Sequence, residues 1–318
     1  MNLSISIYIG AVYKAKWKSK NRLVACKVIY VTPDRKHLEK SFYKEMAAYA
    51  ELTGPYILKL YGYNIQALPN GNTRCMLILE YMSRGSLTSV LRQKEKISLR
   101  SKVEIACQIA SGMRKIHSHD MIHRDIRPDN ILIQQDYTAK ISDMGIARVW
   151  AAQELMTRVG CLSYMPLEFY QGKFSKQSDI FTFGLTLSEL FTERKHIFDD
   201  LTNRITISEK SPIFTELIQR CIHDDLKQRP TAIEIETTLR RYRLAIEKFI
   251  VGNKIQYGNL ETSEKNFVFL TVYQAIQADI DEKLKNEFPR EQPTNELMNI
   301  LNSGTQILRF FGLFEPPK

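Results

Sequence analysis

Near the N-terminus two apolar runs, Ile9 to Tyr13 and Leu23 to Ile29, are separated by the turn residues Ser19-Lys20-Asn21. Short apolar runs around such a turn predict a two-stranded hairpin. From Lys36 to Leu52 the pattern is helical, stopped by Thr53-Gly54-Pro55. The apolar run from Met76 to Met82 predicts a buried strand. Ser98 to Ser118 predicts a longer helix with Leu99, Val103, Ala106, Ile109, Ala110, Met113 and Ile116 on its inner side. Thr231 to Glu234 has the spacing of a capping box and opens another helix, whose stripe is Ile235, Leu239, Tyr242, Ile246 and Phe249. Farther on, Phe269, Tyr273, Ile276, Ile280 and Leu284 share a helical face that Pro289 ends. A last apolar cluster runs from Ile307 to Phe314.

Composition narrows the class. Apolar residues make up 44% of 318, enough for packed cores. No apolar run reaches the roughly 18 residues of a membrane-spanning helix. The first residues lack the basic flank and cleavage site of a signal peptide. The cysteines, 5 in number and scattered, read as reduced thiols, so a cytoplasmic address is expected. The net charge is +10, and Lys14, Lys16, Lys18 and Lys20 are expected to share one strand face. No aromatic platform accompanies them in sequence, so a solvated sheet face is favoured over an acidic membrane or nucleic-acid contact.

The chemistry is concentrated in IHRDIRPDNILI, from Ile122 to Ile133. One short loop there holds a carboxylate (Asp125), a cation (Arg127) and an amide (Asn130). Such a trio can orient a hydroxyl, neutralise a terminal phosphate and hold a divalent cation. KISDMG follows and adds a second metal-binding oxygen at Asp143. His117, His119 and His123 cluster nearby, but without convergent spacing they do not read as a metal site.

Through these motifs, and through LTGPYILKLYGY, KISDMGIAR, LSYMPLE and IQRC, the chain resembles eukaryotic protein kinases, most of all the tyrosine-kinase-like serine/threonine group. The resemblance implies an α+β fold of two lobes, a small β-rich N-lobe with one helix (1–81) and a larger helical C-lobe (82–243). It would leave 244–318 as a helical extension that packs on the C-lobe or forms a partner or dimer contact. It implies ATP and Mg²⁺ as cofactors and a protein as substrate. Asp125 would be the catalytic base, assisted by Arg127, Lys27 and Glu45. Asn130 and Asp143 would bind the metal. Gly10, Val12, Ala25, Lys27, Leu79, Glu80, Met82 and Leu132 would bind ATP. Thr157 would be a regulatory phosphosite clamped by Arg124, with Ser163 and Tyr164 the other hydroxyls of that segment. His123, Glu168, Asp179 and Arg229 would be structural.

Several positions depart from the family pattern. Ile5 and Ile7 stand where glycines let the backbone approach phosphate. Arg127 replaces the usual lysine, Met144 a phenylalanine, and Cys161 a threonine. The stretch from Leu190 to Arg229 is shorter than usual, near a common docking helix. An active serine/threonine kinase is the leading expectation. Tyrosine specificity, a non-catalytic scaffold of the same fold, and a small-molecule phosphotransferase are the alternatives.

Overall fold

The computed structural model describes residues 10–35, 37–93, 96–144, 163–170, 175–252 and 260–289. The chain divides into two compact units, 1–276 and 277–318. Everything that bears on the site lies in the first.

Strands β1 (Gly10–Trp17) and β2 (Arg22–Val31) form the expected hairpin. The chain reverses at Asn21, whose φ of 45° is one that asparagine tolerates better than most residues. Strands β3 (Leu60–Ala67) and β4 (Thr73–Glu80) complete a four-stranded antiparallel sheet in the order β1-β2-β4-β3. The register sets Val12 opposite Lys27, and Ala25 opposite both Lys14 and Leu79. Opposed residues share a face, so these side chains line one side of the sheet. Helix α1 (His37–Glu51) packs against the sheet, with Phe42, Ala48 and Tyr49 buried.

The expected four-lysine face is not formed. Only Lys14 and Lys16 lie on β1; after Trp17 the chain tightens into a 3₁₀ turn at Lys18–Lys20. Lys14 also has an aromatic partner after all, its Nζ lying 4.9 Å from the centre of the Tyr81 ring.

Beyond the hinge come β5 (Gly85–Ser86), α2 (Leu87–Leu91) and α3 (Leu99–Ser118). Ser98 caps α3, its hydroxyl accepting the Ser101 N–H at 3.2 Å. All seven apolar residues expected on its inner side are buried. Gly112 is required there, because a Cβ would meet the Tyr56 carbonyl oxygen at 2.9 Å. Strands β6 (Ile131–Ile133) and β7 (Ala139–Ile141) join β5 in a small sheet. After α4 (Leu167–Tyr170), helix α5 (Lys176–Thr192) runs through the centre of this region, buried from Ser178 to Ser188. Between α5 and α6 (Thr215–Cys221) the shortened stretch holds a two-stranded hairpin, β8 (Ile197–Asp199) and β9 (Arg204–Thr206), and no helix.

Helix α7 (Ala232–Gly252) lies along α3. Thr231 caps it, accepting the Glu234 N–H at 3.2 Å, and the Glu234 carboxylate also meets Arg220. One expectation is corrected, since the stripe ends on buried Ile250 while Phe249 is partly exposed.

Helix α8 (Thr262–Glu287) begins with two anchors to the body of the first unit. Asn266 Oδ1 accepts the Leu99 N–H at 2.8 Å, and the Tyr273 hydroxyl accepts the Phe214 N–H at 3.0 Å. Phe214 has a φ of 57° and sits among the rings of Phe191, Tyr242 and Tyr273, with centroids 5.2 to 5.6 Å from its own. The apolar cluster from Ile307 to Phe314 lies outside the described residues. Among the described residues no helix is long and apolar enough to cross a membrane.

Candidate active site

The loop after α3 is held from below by Asp179, at the start of α5. Fully buried, Asp179 accepts the backbone N–H of His123 at 2.8 Å and of Arg124 at 2.6 Å, and lies 2.9 Å from His117 Nε2. Arg124 adopts a φ of 70°, a left-handed conformation that costs about 1–2 kcal/mol and persists only where its surroundings fix it. Buried His123 bridges two segments. Its Nε2 meets the Ser142 carbonyl at 2.9 Å, and its Nδ1 accepts the Asp125 N–H at 3.2 Å. His117, His119 and His123 therefore diverge, and among the described residues no group of three metal-ligating side chains converges.

Asp125 is buried and bonded on both sides. The Asn130 amide nitrogen donates to its main-chain oxygen at 3.0 Å and also to its carboxylate. Arg127 Nε lies 3.2 Å from the same carboxylate, and Arg127 also pairs with Asp129 at 2.8 Å. An amide whose nitrogen faces Asp125 leaves its oxygen directed away from that carboxylate. That strand end is tied to Asn130 as well, since both the Ser142 N–H (2.8 Å) and hydroxyl (2.9 Å) donate to the Asn130 carbonyl. Asn130 and Asp143 thus present oxygen donors from two fastened segments, a set suited to Mg²⁺.

Across the cleft, Lys27 Nζ reaches Glu45 at 2.7 and 3.0 Å and Asp143 at 3.3 Å. Burial alone would lower the pKa of Lys27, but the charges of Asp143 and Glu45 outweigh it and hold the ammonium above the usual lysine range. Burial pushes the Glu45 carboxyl up, and the adjacent ammonium opposes that shift. One turn beyond Glu45 on α1, the Tyr49 hydroxyl accepts the Asp143 N–H at 2.8 Å.

The residues expected around ATP lie on the sheet, the segment after it and β6. Gly10 opens β1, and Val12 stands opposite Lys27 with 61% of its surface exposed. Ala25 faces Leu79, and Met82 is buried at the hinge. Leu132 lies on β6 opposite Ser86. Glu80 carries a second load, its carboxylate 2.7 Å from Lys140 Nζ and its N–H donating to the Lys59 carbonyl at 2.9 Å.

Two hydroxyls considered as phosphosites, Ser163 and Tyr164, are buried. Tyr164 donates to the Glu189 carboxylate, and His196 packs edge-on to its ring at 4.6 Å. Thr157 and Cys161 lie outside the described residues. Glu168 and Arg229 form the expected buried pair at 2.6 and 3.2 Å, and the guanidinium also donates to the carbonyls of Gln177 (2.9 Å) and His223 (2.7 Å).

Sequence reasoning missed Tyr49, Ser142 and Glu189. Tyr49 was within reach, since a residue four places after Glu45 shares its helical face.

A family profile described as "Protein kinase domain" matches residues 8–239. A Dictyostelium discoideum protein described as a serine/threonine-protein kinase is 32% identical over 242 residues, covering 71% of this chain and 15% of that protein. A serine/threonine-protein kinase/receptor of Acanthamoeba polyphaga mimivirus is 29% identical over 248 residues, 73% of this chain and 14% of that one. The brassinosteroid LRR receptor kinase of Solanum lycopersicum is 28% identical over 265 residues, 71% and 21% of the two chains. The chain thus spans a small part of each of these relatives. With the profile covering most of its length, the chain belongs to the protein kinase domain family.

Proposed function

We propose that the chain transfers the γ-phosphate of Mg-ATP to serine or threonine hydroxyls of protein substrates. The observation that carries this reading is that Lys27, bonded to Glu45, reaches Asp143, while the segment leading to Asp143 is tied through Ser142 to Asn130 beside Asp125. Lys27, held charged by two carboxylates, would bind the α- and β-phosphates. Bound Mg²⁺ would neutralise charge on the phosphate oxygens. Asn130 and Asp143 would hold the metal, and Asp125 would accept or orient the proton of the attacking hydroxyl, which needs a carboxylate fixed in direction. Arg127, already on Asp125, would steady charge on the transferred group. Gly10, Val12, Ala25, Leu79, Glu80, Met82 and Leu132 would enclose the nucleotide.

Serine or threonine specificity is supported by the descriptions of the relatives. Phosphorylated Thr157 would pair with Arg124, and 244–318 would carry a partner contact. The free thiols of Cys26, Cys75, Cys107 and Cys221 fit work in a reducing, cytoplasmic setting. The deciding experiment measures phosphate incorporation from Mg-ATP into a generic protein substrate, mapped by mass spectrometry, for the native chain and Asp125→Asn. Incorporation on serine or threonine that vanishes in the variant is expected; equal background from both folded proteins overturns the reading.

A further inference from the structure

Asp143 is held by an unusual closed circuit. Its carboxylate lies 3.3 Å from Lys27, Lys27 is bonded to Glu45, and Glu45 sits four residues before Tyr49 on α1. The circuit closes when the Tyr49 hydroxyl accepts the Asp143 backbone N–H at 2.8 Å. Asp143 itself has a φ of 53°, a left-handed conformation that a non-glycine residue keeps only when its neighbours fix it. The Tyr49 phenol that makes this bond is itself buried.

We propose that Tyr49 is a positioning residue for the metal-binding Asp143, its hydroxyl fastening the backbone of that residue to the same helix that carries Glu45. Through Glu45 helix α1 meets the ammonium, and through Tyr49 it holds the backbone that carries the facing carboxylate. This rests on the reading of Asn130 and Asp143 as the Mg²⁺ pair.

The test uses the full chain with Tyr49→Phe, which keeps the ring and removes only the acceptor. Tyr43→Phe, at a partly exposed tyrosine of the same helix, is the control. Half-saturating free Mg²⁺ and the KM for ATP should each rise about five-fold in Tyr49→Phe, the factor carried by one ordinary hydrogen bond, while the KM for protein substrate stays unchanged. A merely structural role would lower the melting temperature without moving Mg²⁺ dependence. Values for Mg²⁺ and ATP equal to those of the native chain overturn the proposal. Mg²⁺-dependent binding of a non-hydrolysable ATP analogue, followed by calorimetry, reads the same bond without turnover. A native chain that binds the analogue but transfers nothing defeats the kinase reading alone, and the binding shift in Tyr49→Phe still decides this one. A native chain that binds no analogue overturns both. Should the variant fail to fold, hydrogen exchange at the Asp143 amide of the native chain decides: protection supports the bond, and exchange at the unstructured rate refutes it.

Discussion

Asp179 and Arg124 are 55 residues apart in sequence, yet the Arg124 N–H points straight at Asp179 Oδ1 from 2.6 Å. The other oxygen of the same carboxylate takes the His123 N–H. Asp179 therefore determines the path of the loop that presents Asp125. Asp179→Asn keeps the volume but offers one acceptor oxygen for two amides. We expect a loss of about 2–3 kcal/mol of stability, the cost of a buried unsatisfied donor near a strained residue. Transfer should fall at least about ten-fold. Urea unfolding and initial rates check both, and wild-type values in both would refute the role.

The Glu168–Arg229 pair is almost wholly removed from water. Removing one partner strands the other charge, so Glu168→Gln or Arg229→Leu should each cost about 3–5 kcal/mol. The double substitution should recover part of that loss, a coupling that a mutant cycle measures directly. Additive single effects would mean that the pair does not act as a unit.

Asp143→Asn leaves the size of the side chain intact but weakens its oxygen as a metal ligand. Mg²⁺-dependent nucleotide binding should drop by more than about ten-fold, with the melting temperature of the nucleotide-free chain held or raised because a carboxylate beside Glu45 has gone. Calorimetric titration with ATP, with and without Mg²⁺, separates this outcome from general damage. Unchanged Mg²⁺ dependence would move the metal elsewhere.

His196 gives a pH prediction. Burial draws its pKa down to about 4, against 6.5 when unfolded, with the backbone contact to Ser163 opposing the shift. The folded state thus prefers neutral imidazole, and the unfolded state binds the proton first as pH falls. Stability contributed by the neutral ring is present above about pH 6.5 and is lost as pH drops toward 4, by up to about 3 kcal/mol. His196→Leu should flatten this part of the stability profile, and denaturant midpoints between pH 7 and 4.5 would show it. Parallel profiles for both proteins would rule His196 out as the source.

The parts legible in sequence were those fixed by local spacing. Asp125, Asn130 and Asp143 stand on short segments, whereas Lys27 and Glu45 were singled out through the resemblance to protein kinases. Contacts made by folding were less visible. Nothing about a serine and a tyrosine at 163 and 164 says which side of the segment is covered, so their burial had to be seen. Lys14 meets Tyr81 only when the hinge folds beneath β1. The end of the α7 stripe failed for a smaller reason, since Phe249 and Ile250 are adjacent, both apolar and equally far from the centre of the stripe, and only packing separates them.

Tyr273 lies well beyond residue 239, where the family match ends. A chain cut at that recognisable edge would leave the Phe214 amide without its acceptor and would strip the rings of both Tyr242 and Tyr273 from beside Phe214. The boundary by which this protein is classified and the boundary within which it can stand alone are therefore different places. Any transplant of the catalytic body into another polypeptide has to carry the first turns of α8 along with it.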